Sequence, residues 1–439
     1  MSRLSLRFGL RSLAVLALIL LAACSGDDGP GSPAPTGNVE FAFCSGDRAP
    51  EWVAVQDGDA AWVRLLPAAG TFYQTRFTTG RGGLAYVDGD GHNLVVRFGT
   101  AAELATTCAQ GTKHVTGTAA NIGVNGLASL ALGSVQSSHP GSNNGPFNLY
   151  NVPEGPQDLF AARFPSGSLE YPSDRIILRR AQDLPAEGEL ALLDFESAEA
   201  FVPVTARVTA VGLDGPLDAE ITSWWLGRRG ATTALVMWSG AITQGSATWH
   251  AVPEERLEAN DLNALHVTTY DAGGRYRSVI TYLRRVGDLA VQMGPPLERP
   301  EVIRVTQSPY LRPRVLLASQ AEYQRSASAR FYQVGLAVTV TMSSAYLGNT
   351  PATWTLELPD FSLVDDWNAA WGLDPAANLQ WDIVAEGGPN PLLGDVPEAG
   401  QHSQYASFAA GDPLDITAVN DEAPPARRRW GFPRPAYYP

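Results

Sequence analysis

The stretch RFYQVGLAVTVTMS at residues 330–343 is the longest alternating run in the chain. Phe331 and Gln333 fall on one side of an extended backbone, and Tyr332 and Val334 fall on the other. A period of two residues is typical of a β-strand that packs one face on a core, because successive side chains point to opposite faces of a sheet. We therefore expect one long strand here and a β fold around it.

The same rhythm continues outward from this run in both directions. Between residues 39 and 420, short apolar or alternating runs are separated by turn residues, and the chain holds 43 Gly and 32 Pro. Such frequent turns favour many short strands over long helices. Residues 100–107 and 254–264 have the pattern of short helices. The sequence predicts a mainly β protein, with several tandem antiparallel β-sandwich-like domains and one or two short helices.

The first residues have the pattern of a signal peptide. Three arginines precede an apolar run at residues 13–21, and that run is shorter than the about 20 residues that a membrane span needs. The sequence LAAC at residues 21–24 resembles the lipobox of bacterial lipoproteins. The resemblance implies cleavage before Cys24 and attachment of diacylglycerol to its thiol. The alternative is a secreted protein that is cut nearby.

The residues after Cys24 predict where such a lipoprotein resides. In the lipoprotein families that the lipobox resembles, an Asp after the modified cysteine tends to retain the protein at the inner membrane, and here Ser25 stands there. Residues 26–38 are polar and have the composition of a flexible tether. We expect a lipid-anchored protein of the outer membrane, on its periplasmic or cell-surface face.

Two cysteines remain once Cys24 is acylated, namely Cys44 and Cys108. Disulfides persist in the oxidising compartments that exported proteins enter. The sequence therefore predicts a Cys44–Cys108 disulfide. Two buried free thiols are the alternative.

A second resemblance lies in the middle of the chain. The run VTGT at residues 115–118 is followed by an apolar run at 128–132, by GPFNLYNVPEG at 145–155 and by DLFA at 158–161. This succession resembles the carboxypeptidase regulatory-like family, whose motif runs from a Val-x-Gly-x-Val strand to a Gly-x-Phe-x-Leu strand and a Val-Pro-x-Gly turn. The resemblance covers about 65 residues, up to Arg180, and implies a transthyretin-like β-sandwich.

The resemblances, the Pro-rich stretch near residue 295 and the shifts in composition together predict a division of the chain. The predicted parts are a signal peptide at 1–23, a lipidated tether at 24–38, a disulfide-containing β domain at 39–110, the carboxypeptidase regulatory-like sandwich at 111–198, a further β-sandwich at 199–296, a C-terminal β domain at 297–420 and a flexible tail at 421–439.

Charge and missing motifs exclude several function classes. The formal net charge is −14, and Lys113 is the only lysine, so the chain is poor in the clustered cations that nucleic acids need. It has no GxSxG, HExxH, CxxC or P-loop motif, and its six histidines are scattered. We expect no catalytic residues, no metal site, no cofactor and no nucleic-acid partner.

Two carboxylate patterns leave a choice between chemistry and structure. DGDGHN at residues 88–93 brings oxygen ligands close enough for calcium, but Asp-Gly pairs are also typical of hairpin turns. Asp194 and Glu196 would share a strand face and could form a carboxylate pair, or they could be ordinary surface residues.

Tryptophans are the strongest candidates for a binding surface. Of the neighbours Trp224 and Trp225, we expect one buried and one exposed, because adjacent strand residues face opposite sides. Trp249, Trp367 and Trp371 are further candidates, since an exposed indole can stack on a sugar ring or bind a protein partner. Arg427, Arg428 and Arg429 precede Trp430 in the tail, where they could bind an anionic envelope polymer or stay in solvent.

These observations together predict a non-catalytic lipoprotein of the cell envelope. Its β-sandwich modules would serve binding, adhesion or envelope assembly, with an envelope glycan or another envelope protein as partner. The alternative is a carbohydrate-binding or weak glycoside- or polysaccharide-active enzyme. Two carboxylates across one cleft would favour the enzyme.

Overall fold

A computed structural model describes the chain between residues 39 and 411 with short gaps. The described ranges are 39–44, 49–105, 112–133, 135–140, 144–167, 172–213, 219–227, 233–242, 245–271, 275–390 and 393–411. Within them the protein is mainly β, as predicted. The two α-helices described are short: α1 (Ala101–Leu104) and α2 (Ser344–Leu347). Two 3₁₀ turns lie at Glu254–Arg256 and Ala369–Trp371.

A continuous sheet of twelve strands forms the centre of the molecule. Its strands are numbered in chain order, and from one edge of the sheet to the other they are β17 (Thr233–Ile242), β16 (Ala219–Gly227), β19 (Leu262–Tyr270), β20 (Tyr276–Leu283), β28 (His402–Gly411), β27 (Gln380–Gly387), β24 (Ser326–Gln333), β25 (Leu336–Ser343), β6 (Asn93–Thr100), β5 (Arg81–Val87), β2 (Trp52–Asp57) and β3 (Val63–Arg64). All neighbours are antiparallel except β25 and β6, which are parallel. The sheet therefore joins the segments 39–110, 199–296 and 297–420 through backbone hydrogen bonds.

The alternating run at residues 330–343 is a hairpin and not one strand. β24 ends at Gln333, β25 begins at Leu336, and Phe331 pairs with Val338. The chain reverses between them at Gly335, which has a φ of +78°. That conformation is accessible to glycine at little cost. The alternating pattern is the same for one strand and for two strands folded back on each other, so the alternation alone could not reveal the reversal.

Smaller sheets cover this central sheet or stand beside it. They are β1 (Val39–Cys44) with β4 (Phe72–Phe77); β22 (Glu301–Thr306), β23 (Arg312–Ala318) and β26 (Thr353–Glu357); and β18 (Ser246–Ala251), β15 (Val204–Val211) and β21 (Leu289–Gln292). Cys44 pairs with Phe72 in the first of these sheets. Cys108 and Cys24 lie outside the described residues, so the disulfide and the lipidation stay predictions.

Segment 111–198 folds as two facing sheets, as the expected sandwich requires. One contains β10 (Asn144–Pro153), β7 (Thr112–Ala120), β13 (Glu187–Glu189) and β14 (Leu193–Asp194); the other contains β12 (Arg175–Gln182), β11 (Gln157–Phe164), β8 (Leu127–Leu132) and β9 (Val135–Pro140). Val115, Phe147, Leu159 and Phe195 are buried between them. The alternation of buried and exposed residues along β10 follows from this packing.

Apolar side chains fill each interface between layers. β22, β23 and β26 pack on the central sheet through Val315 and Trp354, which meet Val96, Val340 and Phe331. A second core joins β15 and β18 to β16 and β19, and includes side chains of β11. Full burial of such side chains contributes about 1.5–3 kcal/mol each. These cores fix the layers on which the surface loops rest.

One of the two predicted helices is largely wrong. α1 lies within residues 100–107, and Thr100 caps it by accepting a hydrogen bond from the backbone N–H of Glu103. Residues 254–264 hold only a 3₁₀ turn at Glu254–Arg256, after which β19 begins at Leu262. Leu262 and Asn263 pair with neighbouring strands, Asn263 with one on each side. Pairing with two neighbours satisfies the backbone there and outweighs local helix propensity.

Candidate functional site

An open cleft of about 750 Å³ lies where the interior strands β5, β6, β24 and β25 of the central sheet meet their turns. Three segments form its walls: the turn between β5 and β6 at residues 90–92, the turn between β24 and β25 at 333–336, and the segment at 370–378. Glu51, which precedes β2, completes the lining. Loops held by a rigid sheet are common positions for binding residues.

Side-chain hydrogen bonds fix these segments relative to one another. The amide of Gln333 donates to the backbone carbonyl of Asp374 at 2.7 Å and accepts from the backbone N–H of Asp374 at 2.8 Å. His92 Nδ1 donates to the carbonyl of Gly335 at 2.9 Å. The cleft is therefore formed before any ligand arrives, and a preformed site loses less entropy on binding.

Trp371 forms an aromatic wall of the cleft and is partly buried. Its ring centroid lies 5.6 Å from that of Trp367 in an edge-to-face contact, and Trp367 lies 4.9 Å from the fully buried Trp52. Gly91 also lies near the indole edge, because a Cβ added there would lie 3.6 Å from Trp371 Nε1. The contact with Trp367 restrains the indole, so it offers contact area to a ligand at little entropic cost.

Polar groups surround this indole. Glu51, Asp90 and Asp374 are carboxylates in the lining, and Asn378 contributes an amide. Among the lining residues that the structure describes, His92 is the one side chain that can carry positive charge. An aromatic wall with carboxylate and amide groups suits a hydroxyl-rich or cationic ligand and disfavours an anion.

Three of the five candidate tryptophans do not provide a binding surface. Trp225 and Trp249 are fully buried and Trp224 is 6% exposed. Trp225 stacks on Phe160 at 5.1 Å, whereas Trp224 packs with Ile280 on the opposite face of the sheet. The prediction that one of the adjacent pair is exposed was wrong, because Trp225 packs against the layer of β15 and β18 and Trp224 is enclosed by side chains of β19 and β20.

The Asp88 sequence is a turn whose carboxylate already has partners. Asp88 accepts from the backbone N–H groups of His92 at 2.9 Å and Asn93 at 3.2 Å, and from the Asn93 amide. Burial alone would raise the pKa of Asp88, but these hydrogen bonds outweigh it and lower the pKa. Among the described residues no cluster of three His, Cys, Asp or Glu side chains could hold a metal ion.

Asp194 and Glu196 do not share a strand face. β14 ends at Asp194, and Glu196 lies in the turn that follows. Asp194 accepts from the backbone N–H of Glu196 at 2.9 Å and from the Asn121 amide at 2.6 Å. These bonds lower the pKa of Asp194. The proposed carboxylate pair is thus a turn contact.

The cleft combines residues that are distant in the sequence, which is why most of them were not foreseen. Glu51, His92 and Gln333 come from three different strand ends, and Trp371 was a candidate only as a tryptophan. Two local patterns in the sequence mark turns that line the cleft, namely the Asp-Gly pair at residue 88 and the Val-Gly pair at residue 334. Their proximity depends on the parallel pairing of β6 with β25.

In the described part of the chain, no helix has both the length and the apolar character of a membrane span.

Comparisons with known proteins give little likeness. No protein-family model and no curated protein matches the chain. Among solved structures, the Bacillus anthracis TIE protein is 11% identical with a TM-score of 0.13. The match covers 80% of this chain and spans 63% of the length of that protein.

Proposed function

We propose that this protein is a non-catalytic lipoprotein of the cell envelope that binds carbohydrate in the cleft beside Trp371. The lipobox resemblance supports an anchor at Cys24 in the outer membrane. The two-sheet fold of segment 111–198 supports the carboxypeptidase regulatory-like resemblance. The main support for a binding role is the cleft itself. There, turns that are fixed by side-chain hydrogen bonds hold the Trp371 indole among exposed hydrogen-bonding groups.

Carbohydrate suits this cleft better than an apolar ligand does. The lining combines one aromatic wall with carboxylate, amide and imidazole groups, which can bond hydroxyl groups while the indole packs against the C–H face of a sugar ring. The cleft is open rather than enclosed, so one or two residues of a longer polymer could occupy it without a free chain end.

Replacing Trp371 with alanine should weaken binding of the cleft ligand about 30-fold, the effect of losing an aromatic anchor worth about 2 kcal/mol. The full chain in detergent would be screened on an envelope-glycan array, and the best ligand titrated calorimetrically. Leu363→Ala is the matched control, because Leu363 is 96% exposed and outside the cleft lining. Equal affinity of W371A and wild type for every bound glycan would refute the cleft as the site.

Polysaccharide hydrolysis is the second candidate function, and the cleft gives it one specific support. Glu51, Asp90 and Asp374 line the same cleft, and glycosidases use two carboxyl groups across a cleft. Release of reducing ends from the bound glycan, abolished by E51Q, D90N or D374N, would favour the enzyme. Binding without any such release favours the non-catalytic role.

The anchor has its own test. Cys24→Ala should abolish incorporation of a labelled fatty acid and leave the protein unprocessed or mislocalised, because the thiol is the proposed acylation site. Metabolic labelling followed by membrane fractionation measures both effects. A wild-type protein that takes up no label would exclude the lipoprotein proposal and leave the cleft unaffected.

A further inference from the structure

The outer face of the sheet formed by β10, β7 and β13 carries an unusually exposed aromatic ring. Tyr150 on β10 is 61% exposed, more than any other Phe, Tyr or Trp side chain whose burial the structure describes. Its neighbours on this face are the polar residues Asn148, His114 and Glu187. An aromatic ring in this setting leaves a surface on which a planar or C–H-rich ligand face can stack.

A β-bulge directs this tyrosine. Leu149 pairs with Val115 and Val152 pairs with Lys113, so Tyr150 and Asn151 together oppose the single residue His114. Asn151 has a φ of +60°, a left-handed conformation that is uncommon outside glycine. Bulges of this kind change the direction of a side chain and are frequent next to functional sites. The bulge therefore fixes the backbone at Asn151, directly after Tyr150.

The ring of Tyr150 lies flat against a second ring. It stacks on the His114 ring with a centroid distance of 4.6 Å and an interplanar angle of 2°. His114 is itself held between Glu187 Oε2 and Asn148 Oδ1, each at 3.2 Å from a ring nitrogen. One face of the tyrosine is covered by the imidazole, so its exposed area belongs to the opposite face and the edge. The arrangement is a fixed aromatic platform.

We propose that this platform, made of Tyr150, His114, Asn148 and Glu187, is a second binding site that stacks an uncharged hexopyranose residue of a glycan. The ring face accepts the axial C–H groups of the sugar. The Asn148 amide nitrogen, which the His114 contact does not use, and the carboxylate of Glu187 can bond equatorial hydroxyl groups. The site stands on its own geometry and does not depend on the cleft.

Charge and ring count select among possible ligands. Glu187 and Glu189 both project from this face, so an anionic sugar would be repelled. Recognition of an ammonium ion uses a cage of several aromatic faces, whereas this platform offers one. A neutral sugar ring therefore fits the chemistry best.

The test uses the full chain in detergent with neutral hexasaccharides of β-linked glucose or β-linked N-acetylglucosamine, and with polygalacturonate as the anionic arm. Saturation-transfer NMR identifies which sugar protons touch the protein, and titration calorimetry gives affinity. We expect one neutral oligomer to bind through its ring C–H protons, with at least a roughly tenfold loss in Tyr150→Ala. Tyr150→Trp should retain binding, because it restores an aromatic face.

Two controls separate this site from other effects. Val124→Ala changes a residue of the same sandwich that is 76% exposed, and it should bind as wild type does. Wild type and Y150A are also compared in a Trp371→Ala background, which impairs the cleft and leaves the platform intact, so that platform binding persists there and its loss in Y150A reports on the platform alone. The proposal is overturned if neither neutral oligomer binds, if Y150A binds them as wild type does, or if polygalacturonate binds equally well.

Discussion

Replacing Arg325 with methionine should lower the free energy of unfolding by about 3–5 kcal/mol, the cost typical of breaking a buried ion pair. Arg325 lies 2.5 Å from Glu103 and 2.7 Å from Asp395, and Glu103 is 6% exposed. Burial alone would lower the pKa of Arg325, but hydrogen bonds and attraction from the two carboxylates outweigh it and raise the pKa. Without the guanidinium, the buried Glu103 carboxylate loses its cationic partner.

Denaturant unfolding of wild type, R325M, E103Q and the double variant measures this coupling. The double variant should be destabilised by less than the sum of the single variants, because each removes the same interaction. Glu254→Gln is a control, since Glu254 pairs with Arg285, whose side chain is 86% exposed, and lies away from Arg325 in the sequence and in its contacts. Its expected change is below about 1 kcal/mol. Additive effects of R325M and E103Q would contradict the prediction.

Replacing Arg180 with methionine should destabilise the protein by a similar amount, about 3–5 kcal/mol. Arg180 on β12 bonds Asp158 at 2.9 Å and also bonds Asp261, and both carboxylates are almost fully buried. Its guanidinium lies 5.2 Å from the centre of the Trp225 ring. The Arg180 guanidinium thus pairs with two buried carboxylates and contacts an indole ring. These interactions link segment 111–198 to segment 199–296.

The loss should appear first where the two segments meet. Hydrogen exchange of R180M should show faster exchange in β12 and in the residues before β19 than in the rest of the central sheet. Arg285→Met is the matched control, because Arg285 pairs with Glu254 while 86% exposed, and such surface pairs contribute about 0–1 kcal/mol. If R180M and R285M proved equally stable, the link between the segments would not depend on Arg180.

Alternation and turn residues predicted the β class, because they are local properties of the chain. The two-sheet sandwich at 111–198 was expected from the family resemblance. The burial of both Trp224 and Trp225 could not be predicted from the sequence, since it depends on which strands and layers pack around β16. The cleft could not be predicted from the sequence either. His92 and Gln333 approach each other because two distant hairpins become neighbours, and single-sequence patterns carry no information about which strands pair.

The Tyr150 platform illustrates the same limit at smaller scale. The sequence pattern indicates a strand around Tyr150 but gives no sign of the bulge, since an extra residue in one strand is visible only against its partner. The buried ion pairs were equally hidden, because Arg325 and Glu103 lie 222 residues apart. Local patterns predict the strands of this protein well, and they miss how those strands pair.

The position of β28 has a consequence for how the molecule assembles. This last described strand lies in the interior of the central sheet, between β20 and β27, and Tyr276 and Ser407 meet across 131 residues. The central sheet cannot be completed until the ribosome has synthesised β28, which ends at residue 411. Pairing strands that are so distant in the sequence requires closure of long loops, and this slows folding. If the chain carries the proposed signal peptide, this late completion of the sheet would keep the nascent polypeptide unfolded. An export channel transports polypeptides in that unfolded form.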